Sequence, residues 1–181
     1  MKKLTDSLNG YGSISIFLHW IMAVLVIGLF ILGEYMMGLN YYDSEYLSAY
    51  KLHRDFGMIV AVLLVLRMSW RLSGLTPNIE GKQWQQRIAI IMHRSFYALM
   101  VIMVVSGYLV TSAKGQDISV FGWVTVPATI YGFENQEDVA GEIHEVSTHI
   151  FVLLVVVHTV AALKHHFINR DSTLQRMLRT R

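Results

Sequence analysis

Three stretches of this chain, residues 13–33, 95–113 and 146–163, run on without a single Asp, Glu, Lys or Arg. A bilayer core about 30 Å thick is crossed by roughly 20 mainly apolar helical residues, so each stretch reads as a transmembrane helix. A fourth apolar run, residues 56–66, is shorter and taken alone reads as a buried helix. It becomes a span if His53, Arg54 and Asp55 sit at one interface while Arg67 and Arg71 snorkel to the other. The expected spans are about 13–37, 50–71, 88–113 and 141–166, in one domain over the 181 residues. The expected fold class is all-α, an integral membrane four-helix bundle. With 54% hydrophobic and 15% charged residues, the chain is more apolar and less charged than a typical soluble domain.

Charge placement orients the bundle. Four spans put both termini on one side, together with Lys2, Lys3, Arg67, Arg71, Lys82, Arg87, Arg94, Lys164, Arg170, Arg176, Arg179 and Arg181, and only three acids, Asp6, Glu80 and Asp171. The other side keeps Lys51, Arg54 and Lys114 against the ten remaining acids. Lys and Arg concentrate in short cytoplasmic loops, so both termini are expected in the cytoplasm. Removing the short second span would split the basic regions between two sides, and that favours it as a true span. Lys2 and Lys3 precede an apolar segment as in a signal peptide, but the segment is too long and no small-x-small cleavage site follows, so it is expected to stay as a helix. Tyr41, Tyr42, Tyr46 and Tyr50 suit an outer interface. No nucleic-acid partner is expected.

Eight histidines and no cysteine narrow the chemistry. Absent cysteine excludes disulfides, thiolate iron–sulfur ligation and covalent C-x-x-C-H haem attachment, so a metal would have to be held by His, Met or carboxylate. Ionisable groups inside spans are costly and mark functional sites. His19 and His158 match in depth near the cytoplasmic ends of the first and fourth helices, and His53 and His144 match near the outer ends. Fourteen residues separate His144 from His158, nearly four helical turns, so both lie on almost the same face about 21 Å apart along the axis. One helix thus offers an imidazole near each membrane surface, and haem suits the space between bundle helices.

Other residues carry weaker signals. His149 reads as a packing or hydrogen-bonding residue, and His165 and His166 as interfacial and solvated. His93 is a candidate for a substrate or propionate contact. Arg67, Arg71 and Arg94 could meet haem propionates or a quinone, or merely anchor the helices. The ten methionines read mainly as gap fillers. Gly28, Gly33, Gly57 and Gly107 permit close helix contact, and Gly57, one turn after His53, suits clearance for a macrocycle.

The segments Ser15-Ile-Phe-Leu-His19-Trp20, Leu52-His53-Arg54-Asp55-Phe-Gly57, Ile143-His144 followed by His158, and Ala-Leu-Lys164-His165-His166-Phe-Ile-Asn-Arg-Asp171-Ser-Thr-Leu resemble the bacterial cytochrome b561 family. The likeness covers nearly the whole chain, including the Ile118-Ser-Val-Phe-Gly-Trp123 stretch. It implies a multi-pass protein of the bacterial inner membrane with two haem b groups, one ligated by His19 and His158 and the other by His53 and His144. It also implies quinone, such as ubiquinone, as an electron partner in a respiratory chain. One branch of the family passes electrons from superoxide to ubiquinone, but an acidic outer surface does not steer an anion. The leading expectation is electron transfer across the membrane by a dihaem cytochrome b, with quinone exchange near Arg67, Arg71, His93 and Arg94. Two other readings stay open at this point: a haem-bearing anchor subunit for a partner dehydrogenase or hydrogenase, and a His-lined transporter or proton channel without haem.

Overall fold

The computed structural model describes residues 4–40 and 42–180; Lys2, Lys3, Tyr41 and Arg181 lie outside them. Four long helices dominate, α1 Ser13–Met37, α2 Tyr46–Ser73, α3 Gln83–Ser112 and α4 Gln136–Lys164. Each is long and apolar enough to cross a membrane. The short run at residues 56–66 forms the middle of α2, which at 28 residues is longer than its apolar segment because polar turns extend both ends. A π-helical turn, His165–Asn169, continues α4, and a four-residue α5, Gln175–Leu178, follows.

The helix ends follow from local chemistry. Asp6 accepts hydrogen bonds from the Gly12 amide (2.7 Å) and the Ser15 hydroxyl (2.8 Å), which ties the N-terminal segment to the start of α1. Gly12 has to be glycine, because a Cβ there would stand 2.3 Å from the Leu4 carbonyl oxygen. α3 opens with Gln85 reaching back to the Lys82 amide at 2.8 Å. α4 carries Glu137 and Asp138 in its first turn and Lys164 in its last, as the helix dipole favours.

The chain is mostly helical, with one departure from the all-α expectation. Residues 118–126, between the third and fourth expected spans, form an antiparallel hairpin of β1 Ile118–Val120 and β2 Val124–Val126. The strands, four of whose six residues are Val or Ile, flank a three-residue loop, Phe121–Trp123, in which Phe121 and Gly122 take positive φ to turn the chain. The hairpin is fastened to α2. The buried Asp55 accepts the Phe121 amide (3.0 Å) and pairs with Arg54 (3.0 Å), which also donates to the Ser119 carbonyl (2.8 Å).

α1 packs along α2 and α3 packs antiparallel along α4, with a lighter contact between α2 and α3 and little between α1 and α4. Met22, Leu64, Met100 and Phe151, one from each helix, form the buried core at mid-depth. Large apolar residues such as Phe17, Val24, Ile31, Leu153 and Val160 point outward, while Asp55, Ser106, Ser112 and Ser147 are buried. This inside-out distribution suits a chain whose surroundings are lipid. The N-terminal segment, the 74–82 connection and the C-terminal turn meet at one end: the Asn78 amide donates to the Leu8 carbonyl, and the Trp20 indole donates to the Met177 carbonyl. The hairpin lies at the opposite end.

Candidate functional site

α4 presents His144, Phe151 and His158 at seven-residue intervals, and α3, running the other way, presents Gly107, Met100 and His93 at the same interval. Helices packed at a shallow angle keep such positions facing one another. The core residues Met100 and Phe151 therefore separate two levels of histidines.

At the hairpin end, His53 of α2 and His144 of α4 face each other with ring centroids 6.2 Å apart. Two imidazoles on opposite sides of one iron, with metal–nitrogen bonds of about 2 Å, hold their ring centres roughly 6 Å apart. The His144 Nδ1 lies 2.8 Å from the Met103 carbonyl oxygen. A carbonyl only accepts, so Nδ1 carries the proton and Nε2 is left with the lone pair that a metal requires. The His53 Nδ1 is buried without a partner at ordinary hydrogen-bond length, and the Leu29 carbonyl is the acceptor in its vicinity.

Glycine makes room for both rings. A Cβ on Gly33 of α1 would stand 3.3 Å from His53 Cε1, and one on Gly107 of α3 would stand 3.2 Å from His144 Cε1. Each imidazole is thus backed by a glycine of the neighbouring helix. A Cβ at Gly57 would meet nothing within 4 Å.

At the terminal end, His19 of α1, His93 of α3 and His158 of α4 converge with Arg67 of α2. The His93 and His158 rings are 5.7 Å apart, Phe96 packs edge-on against His158 at 5.4 Å, and His19 lies within electrostatic reach of His158, His93 and Arg67. Arg67 donates to the His19 Nδ1 (3.2 Å) and to the Tyr97 hydroxyl (3.2 Å). A guanidinium only donates, so this His19 carries its proton on Nε2. Iron on Nε2 would require Arg67 to release Nδ1, and a haem propionate is the partner that a freed guanidinium pairs with best. Arg71 lies within electrostatic reach of His93, and Arg94 is exposed on α3.

A cavity opens beside this cluster, lined by Trp84, Ile88, Met92, His93, His158 and His165 and roofed by the connection and tail that carry Glu80 and Arg176. Neither His165 nor His166 is simply solvated. The His165 Nδ1 lies 2.5 Å from Asp171, and the His166 Nδ1 is buried without a partner. Among the described residues no group of three or more His, Asp or Glu side chains is arranged to hold a bare metal ion. The donors come instead in imidazole pairs from different helices, with room between α1 and α4, and that donor set fits haem. The seven-residue repeat on α3, mirroring that on α4, sets His93 against His158 and Gly107 against His144.

The model of the prokaryotic cytochrome b561 family matches residues 10–180. Cytochrome b561 homolog 2 of Escherichia coli (strain K12) is 41% identical over 176 residues, covering 96% of this chain and 94% of that protein. Cytochrome b561 homolog 1 of the same organism is 28% identical over 173 residues (94% and 98%). A probable superoxide oxidase of Yersinia pestis is 25% identical over 171 residues (93% and 95%). Matched from α1 through the C-terminal turn, the chain belongs to the prokaryotic cytochrome b561 family, membrane proteins of the bacterial inner membrane that transfer electrons through haem b.

Proposed function

We propose that this chain carries electrons across the membrane between two haem b groups, one held by His53 and His144 at the hairpin end and the other by His19 and His158 at the terminal end. The single observation that carries the reading is the His53–His144 pair, with its 6.2 Å ring spacing, the hydrogen bond that fixes His144, and the glycines Gly33 and Gly107 behind the two rings. Haem supplies the one-electron chemistry. The protein's residues orient the imidazoles, and the Met100–Phe151 core keeps water from the space between the two levels. The termini and their basic residues face the cytoplasm, in keeping with the charge asymmetry.

Quinone exchange belongs to the cytoplasmic cavity. Its apolar wall of Trp84, Ile88 and Met92 suits a hydrophobic carrier, and His93 and His165 bring ring nitrogens to the same space. Arg67 and Arg71, both within electrostatic reach of His93, are the guanidinium partners for haem propionates. Superoxide as donor gains little support, because the likeness to the Yersinia protein is the weaker one and the hairpin end is acidic.

Exchanging His158 for Ala tests the pairing. The variant is expected to keep the hairpin-end haem and lose the other, read as a change in the haem-to-protein ratio of the reduced, purified protein. Retention of both would refute the assignment.

A further inference from the structure

Glu34 is the only carboxylate in α1, and it stands next to Gly33, the residue on which His53 packs. Its carboxylate lies 3.4 Å from Nε2 of His149, five residues along α4 from His144. The pair therefore flanks the hairpin-end imidazoles on the side where α1 and α4 barely touch. Both side chains are about half exposed (56% and 53%), and outward-facing Ile31 and Ile150 flank them, so they open towards lipid. Ionisable groups in such a place are costly and call for a functional reason.

Hydrogen bonding says more. The His149 Nδ1 lies 2.9 Å from the Glu145 carbonyl oxygen, so it carries a proton. The remaining nitrogen, Nε2, lies 3.4 Å from the Glu34 carboxylate, so two proton-accepting groups stand side by side. The result is an acid–imidazole couple able to accept and release protons, with the Phe30 ring edge-on to His149 at 6.0 Å as an apolar wall.

We propose that Glu34 and His149 form a binding site for a hydroquinone of the membrane pool, and that this is where electrons are delivered to the hairpin-end haem. A neutral, lipid-soluble donor with two hydroxyl groups matches an acid–imidazole couple facing lipid, whereas an anionic donor is repelled by Glu34 and the acids beyond it. Each hydroquinone loses two protons and two electrons and leaves as quinone. Its O–H bonds break towards the Glu34 carboxylate and the His149 imidazole, which pass the protons to water on the hairpin side. The two electrons would pass one at a time to the haem that His53 and His144 would hold, which is the oxidant of the step. The inference rests on the assignment of a haem to His53 and His144.

Two measurements on the purified, haem-loaded protein test it: photo-cross-linking with an azido-ubiquinone, mapped by mass spectrometry, and stopped-flow reduction by decylubiquinol. The label is expected on residues 27–37 and 145–153, and it should vanish in Glu34→Gln and His149→Phe. Losing a charged hydrogen bond to the donor should slow haem reduction by decylubiquinol about tenfold or more in either variant. Haem content, visible spectrum and reduction by dithionite stay as in the unaltered protein. Label confined to the cavity around Trp84 and His93, with both variants reduced at the unaltered rate, overturns this site and leaves the cytoplasmic one standing. No label at either end, with haem present, overturns both quinone sites. Unaltered protein that binds no haem sinks the underlying assignment instead.

Discussion

A methyl group is enough to disturb the hairpin-end site. Gly107→Ala would place Cβ 3.2 Å from His144 Cε1 and 3.3 Å from its Nδ1, closer than ordinary contact, so the ring would have to shift by a few tenths of an ångström against its hydrogen bond to Met103. The variant is expected to lose or spectrally alter one haem while the other is unchanged, as read by low-temperature visible spectra. At the terminal end, charge governs the tail. Hydrogen bonds from Ser172, above all, and then the Arg176 guanidinium hold the Glu80 carboxyl below the usual carboxylate range. Burial pushes Asp171 up, but hydrogen bonds from His165 and Thr173 outweigh it, and its carboxyl also ends below the ordinary value. Carboxylates depressed in the folded state stabilise it above their unfolded pKa, near about 4, and that contribution is lost as pH falls through the lowered values. The tail is therefore expected to stay docked at neutral pH and to release below about pH 4, seen as a sharpened electron paramagnetic resonance spectrum from a spin label at Leu178. No change between neutral and pH 3 would contradict the clasp.

Among the elements, the hairpin depends on one buried carboxylate. Asp55→Ala leaves the Phe121 amide without its acceptor and Arg54 without its partner, and breaking a largely buried pair of this kind costs about 3 kcal/mol. Amide exchange is expected to rise across residues 118–126 in that variant while α3 and α4 stay protected; uniform exchange would show that the hairpin is held by something else. The four helices were legible because their apolar runs meet the thickness of a bilayer, and even α2 followed once its flanking charges were placed at interfaces. The hairpin was not, since three-residue strands leave too short an alternation to read. His93 was legible as a candidate contact beside Arg94, but its ring contact with His158 was not, because only the register of α3 against α4 turns it that way. The contact of Arg67 with His19 links residues 48 positions apart and leaves no local trace.

Taken whole, the molecule is two helical hairpins, α1–α2 and α3–α4, joined through α2 and α3 and loosely apposed at α1 and α4. Few side chains are fully buried, and those at mid-depth form a single layer. Large apolar rings that fill the space above and below that layer would stabilise the bundle by mass action, so haem serves cohesion as well as chemistry in this account. The bundle could be read from the apolar runs, and the two depths of histidines from the spacing of His144 and His158 along one helix. The glycines behind His53 and His144 could not, because only packing shows which helix lies behind each ring. The most direct test of the central claim is the haem-to-polypeptide ratio, measured by pyridine haemochrome on the intact protein purified from cells supplied with haem precursor. Two b-type haems per chain are expected; one haem or none would contradict ligation at two levels.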